Sequence, residues 1–138
     1  MRYVLPPLLA WFIAQVMKVI ISSSRQRRLN LRVLAETGGM PSSHSAIVAG
    51  LTTGIGRIDG VGSAGFAIAL IFSIVVMYDA QGVRRAAGRQ AALLNQIANE
   101  LLAGHQIQQV RLRELLGHTP VEVLVGAALG VVIGLLPF

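Results

Sequence analysis

Residues 61–78 read VGSAGFAIALIFSIVVMY, a run that contains no charged side chain. A helix needs about 20 consecutive apolar residues to cross the hydrocarbon core of a bilayer, and this run comes close to that length. Only the short hydroxyls of Ser63 and Ser73 interrupt its apolar character. The run therefore predicts a transmembrane helix and makes the chain an integral membrane protein.

Apolar stretches on both sides of this run predict further membrane helices. Tyr3 to Ile21 and Pro120 to Phe138 have a similar length and composition, and no small-residue cleavage site follows Ile21. A shorter stretch from Ser42 to about Arg57 is expected to lie among the other helices and to cross with help from its flanks. The predicted fold is all-α, a polytopic membrane helical bundle of about four transmembrane helices.

Two other patterns refine this prediction. Glycines recur every four residues at Gly50 and Gly54 and again at 126, 130 and 134, which predicts close helix packing where lipid supplies no hydrophobic drive. The stretch from Ala86 to Ala103 is amphipathic and predicts an interfacial helix along the membrane surface. A polar linker, residues 105–117, connects this helix to the last span.

The composition supports a membrane protein and excludes several kinds of site. Of 138 residues, 54% are hydrophobic and only 13% are charged, which is unusual for a soluble domain. The chain has no cysteine, so disulfides, thiolate metal sites and a cysteine nucleophile are excluded. The net charge of +6 suits nucleic acid, anionic lipid or a phosphate-bearing substrate. Nucleic-acid binding is disfavoured because the basic residues flank membrane spans and lack aromatic partners.

The distribution of arginine predicts the topology. If each of four spans reverses direction, most arginines fall at one membrane face, and only Arg2 and Arg57 fall at the other. The positive-inside rule places the arginine-rich face in the cytoplasm and both termini outside. The asymmetry persists when the arginines best suited to bind phosphate are left out. The arginine-rich face comprises Arg25, Arg27, Arg28, Arg32, Arg84, Arg85, Arg89, Arg111 and Arg113.

A basic pair, Lys18 and Arg25, marks the end of the first predicted helix, with three serines between them. A cation inside a membrane segment is costly, so Lys18 is a candidate functional residue. The structural alternative is a lysine that extends to the lipid headgroups.

A second motif, GGMPSSHS at residues 38–45, is a glycine turn that leads into an apolar helix. Ser42 and Ser43 follow a proline and are natural N-caps, and the free N–H groups of a helix start favour an anion. The structural alternative is that the serines only cap the helix and His44 only packs.

A third motif, HTPVE at residues 118–122, opens the last span. Thr119 as N-cap, proline at the first helical position and Glu122 three residues after the cap predict a capping box. The carboxylate has two oxygens, so Glu122 can also accept a hydrogen bond from the imidazole of His118.

Together these segments resemble the type 2 phosphatidic acid phosphatase superfamily, which also includes the vanadium haloperoxidases. That superfamily carries K-x6-R-P, then P-S-G-H, then S-R-x5-H-x3-D. Lys18 and Arg25 match the first motif, with Gln26 in the place of proline. His118 and Glu122 keep the H-x3-acid spacing of the third motif, with glutamate in the place of aspartate.

The second motif also matches, since Pro41, Ser42 and His44 stand at the family positions and Ser43 replaces glycine. The resemblance runs from Lys18 to about Gly130. Each motif alone is weak, but three motifs in order at one membrane face are fairly specific.

The serine–arginine pair of the third motif has no counterpart at its usual distance, because Leu112 stands six residues before His118. Residues 79–85, DAQGVRR, resemble the hallmark of a small divergent bacterial membrane branch of the superfamily. The resemblance implies that Arg84 or Arg85 supplies the missing cation, and Asp79 is expected to pair with one of them.

The resemblance implies a single phosphatase-like domain over residues 1–138 that works through a phosphohistidine. His118 would be the nucleophile, Glu122 would orient its ring, and His44 would protonate the leaving group. The expected substrate is a lipid phosphate monoester or an isoprenoid diphosphate, and no metal or other cofactor is required. Membrane lipids surround the protein and a homodimer is plausible from its size. The expected phosphate ligands are Lys18, Arg25, Ser42, Ser43 and one or both of Arg84 and Arg85.

Two alternatives remain. A non-catalytic protein that binds lipid phosphate or acts as a scaffold would explain the displaced serine–arginine pair and the aspartate-to-glutamate change. A vanadate-dependent peroxidase would use the same cations, but the membrane-embedded composition counts against it.

Overall fold

A computed structural model describes residues 1–27, 29, 33–34, 39–81, 83–101 and 117–138. Most of the polar linker, residues 105–116, therefore lies outside the described residues. Over the described ranges the chain forms α-helices and no strand, which confirms the all-α prediction. The helices are α1 (Leu5–Gln26), α2 (Ser43–Asp59), α3 (Ala64–Gln81), α4 (Val83–Leu101) and α5 (Pro120–Gly134).

Hydroxyl side chains begin three of these helices. Ser42 is the N-cap of α2 and accepts a hydrogen bond from the backbone N–H of Ser45 at 3.3 Å. Ser63 accepts from the N–H of Phe66 at 3.2 Å at the start of α3. Thr119 caps α5 with the predicted capping box. Each cap satisfies a donor that has no partner inside its helix, which fixes where the helix starts.

Helix α2 lies at the centre of the bundle and packs against α1, α3 and α5. At its far end the hydroxyl of Tyr3, just before α1, donates to Oδ1 of Asp59 at 2.6 Å. Its first half faces the second half of α3, where Val48 accepts from Ser73 at 3.0 Å. Helix α2 is therefore antiparallel to both α1 and α3.

Helix α5 runs parallel to α2 and touches its backbone. A Cβ built on Gly126 would overlap the carbonyl oxygen of Ser42, and one built on Gly134 would lie 2.6 Å from Cβ of Thr53. At Gly130, between them, a Cβ would lie 2.8 Å from the Cβ of Ala49. The four-residue glycine spacing thus forms the close helix contact that the sequence predicts.

A buried polar cluster joins α2 to α3. The hydroxyls of Thr52 and Ser73 lie 2.7 Å apart, and Thr52 is also within hydrogen-bond distance of the carbonyl oxygens of Val48 and Ala69. Both hydroxyls are almost fully buried. Such interhelical hydrogen bonds replace the hydrophobic drive that is absent between helices in lipid.

Within the described residues, two helices are long and apolar enough to cross a membrane, over Leu5–Ser24 and Ala64–Gln81. Their outward faces are apolar, with Ile71 and Val75 of α3 well exposed. Helix α5 is apolar but has 15 residues and ends at Gly134 rather than at Phe138. Pro137 disfavours helical backbone in the residue before it, which explains the earlier end. The four-span arrangement stays a prediction.

The predicted amphipathic helix is present as α4, which packs against α3. It buries Ala91 and Asn95 and leaves Leu93, Leu94 and Ile97 more than 40% exposed. This exposed apolar face is compatible with the predicted position along a membrane surface.

Candidate functional site

The topology brings the starts of α2 and α5 and the end of α3 to one end of the bundle. The backbone N–H of Ser42, at the start of α2, donates to the carbonyl oxygen of Glu122 in α5 at 3.0 Å. The N–H of His118, before α5, donates to the carbonyl oxygen of Ala80 near the end of α3, also at 3.0 Å. Two main-chain hydrogen bonds therefore tie the second and third motifs to each other and to α3.

The third motif places His118 in a nearly closed environment. Gly117 precedes it with φ of 99°, a left-handed conformation that suits glycine. The His118 side chain is 1% exposed, and its Nδ1 lies 3.2 Å from Oε2 of Glu122. The same oxygen accepts the backbone N–H of Thr119 at 3.0 Å. Glu122 therefore caps α5 and orients the imidazole with one oxygen.

His44 lies in the first turn of α2 and faces His118. The two ring centroids are 6.0 Å apart, and the ring planes are inclined by 63°. Hydrogen-bond donors lie about 2.7–3.0 Å from the oxygens that they bind, so two groups on either side of one oxyanion are roughly 6 Å apart. Nδ1 of His44 and Nε2 of His118 are both enclosed by protein. The two histidines are thus close enough to contact the same tetrahedral anion.

Lys18 joins this end of the bundle from α1 and is only 3% exposed. A Cβ built on Gly39 would lie 3.5–3.7 Å from the Cγ, Cδ and Cε atoms of Lys18. The aliphatic part of the lysine therefore packs on the glycine turn before α2, where φ of Gly39 is 90°. The alternative that Lys18 extends to lipid headgroups does not fit this burial.

Ser42 and Ser43 lie at the start of α2 and are both buried. The hydroxyl of Ser42 accepts from the backbone N–H of Ser45, and the Ser45 hydroxyl donates to it at 3.1 Å. Ser42 therefore has the capping role that was the structural alternative to phosphate binding. Capping leaves its own hydroxyl hydrogen available for a further acceptor.

For the arginines predicted to bind phosphate, the structure describes only the position of the backbone. Arg25 lies in the last turn of α1, and Arg84 and Arg85 lie in the first turn of α4, shortly after Ala80. Their side chains lie outside the described part of the structure. Asp79 lies in the last turn of α3, next to the residue whose carbonyl accepts from His118.

The electrostatic field at this end of the bundle favours the binding of an anion. The N-termini of α2 and α5 lie side by side, and each helix carries a partial positive charge at its N-terminus. Lys18 adds a basic side chain at the same end. The carboxylate of Glu122 lies at the same end and contacts His118.

Three features of the site lacked a prediction from the sequence. The Ser45 hydroxyl supports the cap, and its three-residue spacing from Ser42 is the signal for that contact. The carbonyl oxygen of Ala80 accepts the backbone N–H of His118, and no side-chain pattern in the sequence predicts a backbone acceptor. Gln15 lies in α1 one turn before Lys18, and its polar side chain within an apolar span is the signal that the sequence offers.

Comparisons with known proteins identify the family of the chain. A family model described as the "Divergent PAP2 family" matches residues 2–133, which include all three motifs. The chain is also 42% identical over 142 residues to the "Uncharacterized membrane protein YuiD" of Bacillus subtilis strain 168, with 95% of this chain and 90% of that protein covered. No solved structure matches the chain. The chain is therefore a membrane protein that belongs to the divergent PAP2 family.

Proposed function

We propose that the protein is a membrane phosphatase that hydrolyses a lipid phosphate through a phosphohistidine on His118. One observation carries this proposal most strongly. A buried imidazole is oriented by a carboxylate 3.2 Å away and faces a second imidazole whose centroid is 6.0 Å distant. A nucleophile with an orienting acid and a separate proton donor is the minimum that phosphoryl transfer through histidine needs.

In the first step, Nε2 of His118 attacks phosphorus, because Nδ1 is engaged by Glu122. A P–N bond forms while the bond from phosphorus to the leaving oxygen breaks. His44 gives its proton to that oxygen, a role that suits a group whose ordinary pKa lies near neutrality. The Glu122 carboxylate stabilises the positive charge that develops on the His118 ring.

In the second step, a water molecule attacks the phosphohistidine. A P–O bond forms, the P–N bond breaks, and inorganic phosphate leaves. His44, now neutral, takes a proton from the water, which restores both histidines to their starting states. The predicted lysine and arginines bind the equatorial phosphate oxygens, where charge is spread in the transition state.

The substrate class follows from the position of the site. It lies at one end of an apolar bundle, so a molecule with a phosphate head and a hydrocarbon tail fits better than a fully soluble phosphate. Lipid phosphate monoesters and isoprenoid diphosphates both have this form.

Phosphate release in detergent tests the proposal. Purified protein would be offered short-chain phosphatidic acid, phosphatidylglycerophosphate and an isoprenyl diphosphate, with a chelator present. We expect phosphate release from at least one, inhibition by vanadate, and loss of release in His118→Ala. His105→Ala provides a matched control because it removes the histidine that no motif includes.

Equal release by wild type and His118→Ala on every substrate would refute the mechanism. Retained binding of lipid phosphate without any hydrolysis would instead support the non-catalytic alternative. Halide oxidation after vanadate loading would support the peroxidase alternative.

A further inference from the structure

One face of α2 is not covered by any of the described helices. Helix α5 covers the side of Ala46, Ala49 and Gly50, and α3 covers the side of Val48 and Thr52. Helix α1 covers the side of Gly50 and Gly54 through its first two turns. The face that remains carries His44, Ile47, Leu51, Ile55 and Ile58, all of them half-buried, and Ile55 lies at its edge against Gly65 of α3.

This stripe lies between two helices that do not meet. Over the described residues, α1 and α3 have no pair of Cα atoms within 8 Å, although both pack against α2. Helical periodicity puts Trp11, Gln15 and Lys18 on one side of α1, four and three residues apart, and the contact of Lys18 with Gly39 fixes that end near the start of α2. The result is a groove whose floor is the α2 stripe.

The polarity of the groove changes along its length. Its floor is apolar from Ile55 to Ile47 and ends at His44, within 6.0 Å of the His118 ring. At 1.5 Å per residue, the distance from Ile55 to His44 is about 16 Å, or roughly half the hydrocarbon thickness of a bilayer. An apolar groove that leads into a cationic site matches an amphiphile with an anionic head.

Gln15 provides an independent indication of a ligand. Its Oε1 atom is buried and accepts no hydrogen bond from the described residues. A buried polar atom without a partner is costly, more so inside a membrane helix, unless a bound molecule satisfies it. Gln15 lies one turn before Lys18, at the level where the head of an amphiphile would join its chain.

We propose that this groove between α1 and α3 binds the hydrocarbon chain of the lipid substrate, with Leu51 at its centre and Gln15 beside the linkage to the phosphate. The proposal rests on the proposed function for the identity of the head group. It adds a chain-binding site formed by Ile47, Leu51 and Ile55. The chain enters sideways from the bilayer, because the groove opens where α1 and α3 separate.

A photoreactive probe that cannot be hydrolysed tests the groove apart from catalysis. The probe is a single-chain alkyl phosphonate with a diazirine in mid-chain, added to purified protein in detergent and mapped by peptide mass spectrometry. We expect labelling in α2 between Ile47 and Ile55. Leu51→Trp fills the groove and should reduce this labelling about tenfold, since chain contacts are lost. Leu124→Trp, on an exposed face of α5, should leave it unchanged.

Ile47→Trp is a second blocking variant, and the thermal midpoint of each variant shows whether it folds. A folded blocking variant with undiminished labelling would overturn the proposal, as would labelling spread over all exposed apolar faces. Groove labelling without phosphate release would refute the proposed function alone, whereas phosphate release without groove labelling would refute the groove alone.

Discussion

Glu122 shows how one side chain serves both fold and chemistry. Its Oε2 atom accepts the backbone N–H of Thr119 at 3.0 Å and lies 3.2 Å from Nδ1 of His118. The sequence predicts both contacts, because each depends on a spacing within one helical turn. Each of the two roles can be removed separately by substitution.

Glu122→Gln keeps an oxygen for the cap but removes the negative charge beside His118. We expect kcat for phosphate release to fall on the order of 10²-fold, with KM little changed and the thermal midpoint within a few degrees of wild type. Thr119→Ala is the converse control, which costs about 1 kcal/mol of stability by loss of the cap and preserves kcat. A kcat for Glu122→Gln equal to that of wild type would contradict the orienting role.

Tyr3 provides a pH-dependent contact at the opposite end of the bundle. Its hydrogen bond to the Asp59 carboxylate raises the pKa of the Tyr3 hydroxyl above its ordinary value of 10.0. Because the folded-state pKa is raised, the contribution to stability is present below the ordinary pKa and is lost as pH rises through the raised value.

We therefore expect Tyr3→Phe to lower the thermal midpoint in detergent at neutral pH and to match wild type in strongly alkaline buffer. Tyr78→Phe, at an exposed tyrosine of α3, controls for the loss of a phenol. A difference between wild type and Tyr3→Phe that persists unchanged to high pH would show that the hydrogen bond is not its source.

At the scale of helices, the glycine spacing on α5 sets the distance between the two histidines. Gly126 lies against the backbone of Ser42, one turn away from the Glu122 carbonyl that accepts from the Ser42 N–H. A larger residue at 126 must push α5 away from α2, and His118 moves with α5.

Gly126→Ala should destabilise the protein by roughly 1–3 kcal/mol, the usual cost of an overpacked contact, and should lower activity together with stability. Gly62→Ala is the matched control, because a Cβ built there meets no atom within 4 Å. Thermal unfolding in detergent measures both variants. Equal stability of the two would mean that α2 and α5 are not held by this contact.

The sequence predicted where each helix lies along the chain better than it predicted which helices pack against each other. Caps at Ser42 and Thr119 and the apolar run of residues 61–78 are local signals, and they located α2, α5 and α3. The Thr52–Ser73 cluster and the neighbours of each helix depend on side chains far apart in the chain, which no local spacing reveals. The early end of α5 at Gly134 follows from Pro137, a signal that the apolar composition obscured.

For the whole molecule, the order of the motifs predicted that they meet at one end of the bundle. The structure joins the second and third motifs by the Ser42–Glu122 backbone hydrogen bond and joins Lys18 to them through Gly39. The groove between α1 and α3 could not be predicted, because it exists only where two helices fail to touch.

The topology of the whole chain is open to a direct test, since the natural sequence contains no cysteine. With the active end in the cytoplasm, a cysteine at Arg27 should react with a membrane-impermeant maleimide only after the cells are opened. A cysteine at Phe138 should react in intact cells. The reverse pattern would place the active end outside, and reaction of both in intact cells would contradict four crossings.

The most direct test of the central claim is the capture of the phosphorylated enzyme. Protein mixed with a lipid phosphate labelled at phosphorus would be quenched within one turnover and mapped by peptide. We predict a label that is stable in base, labile in acid, located on His118 and absent from His118→Ala. A label on any other residue, or none during active turnover, would contradict a phosphohistidine at this site.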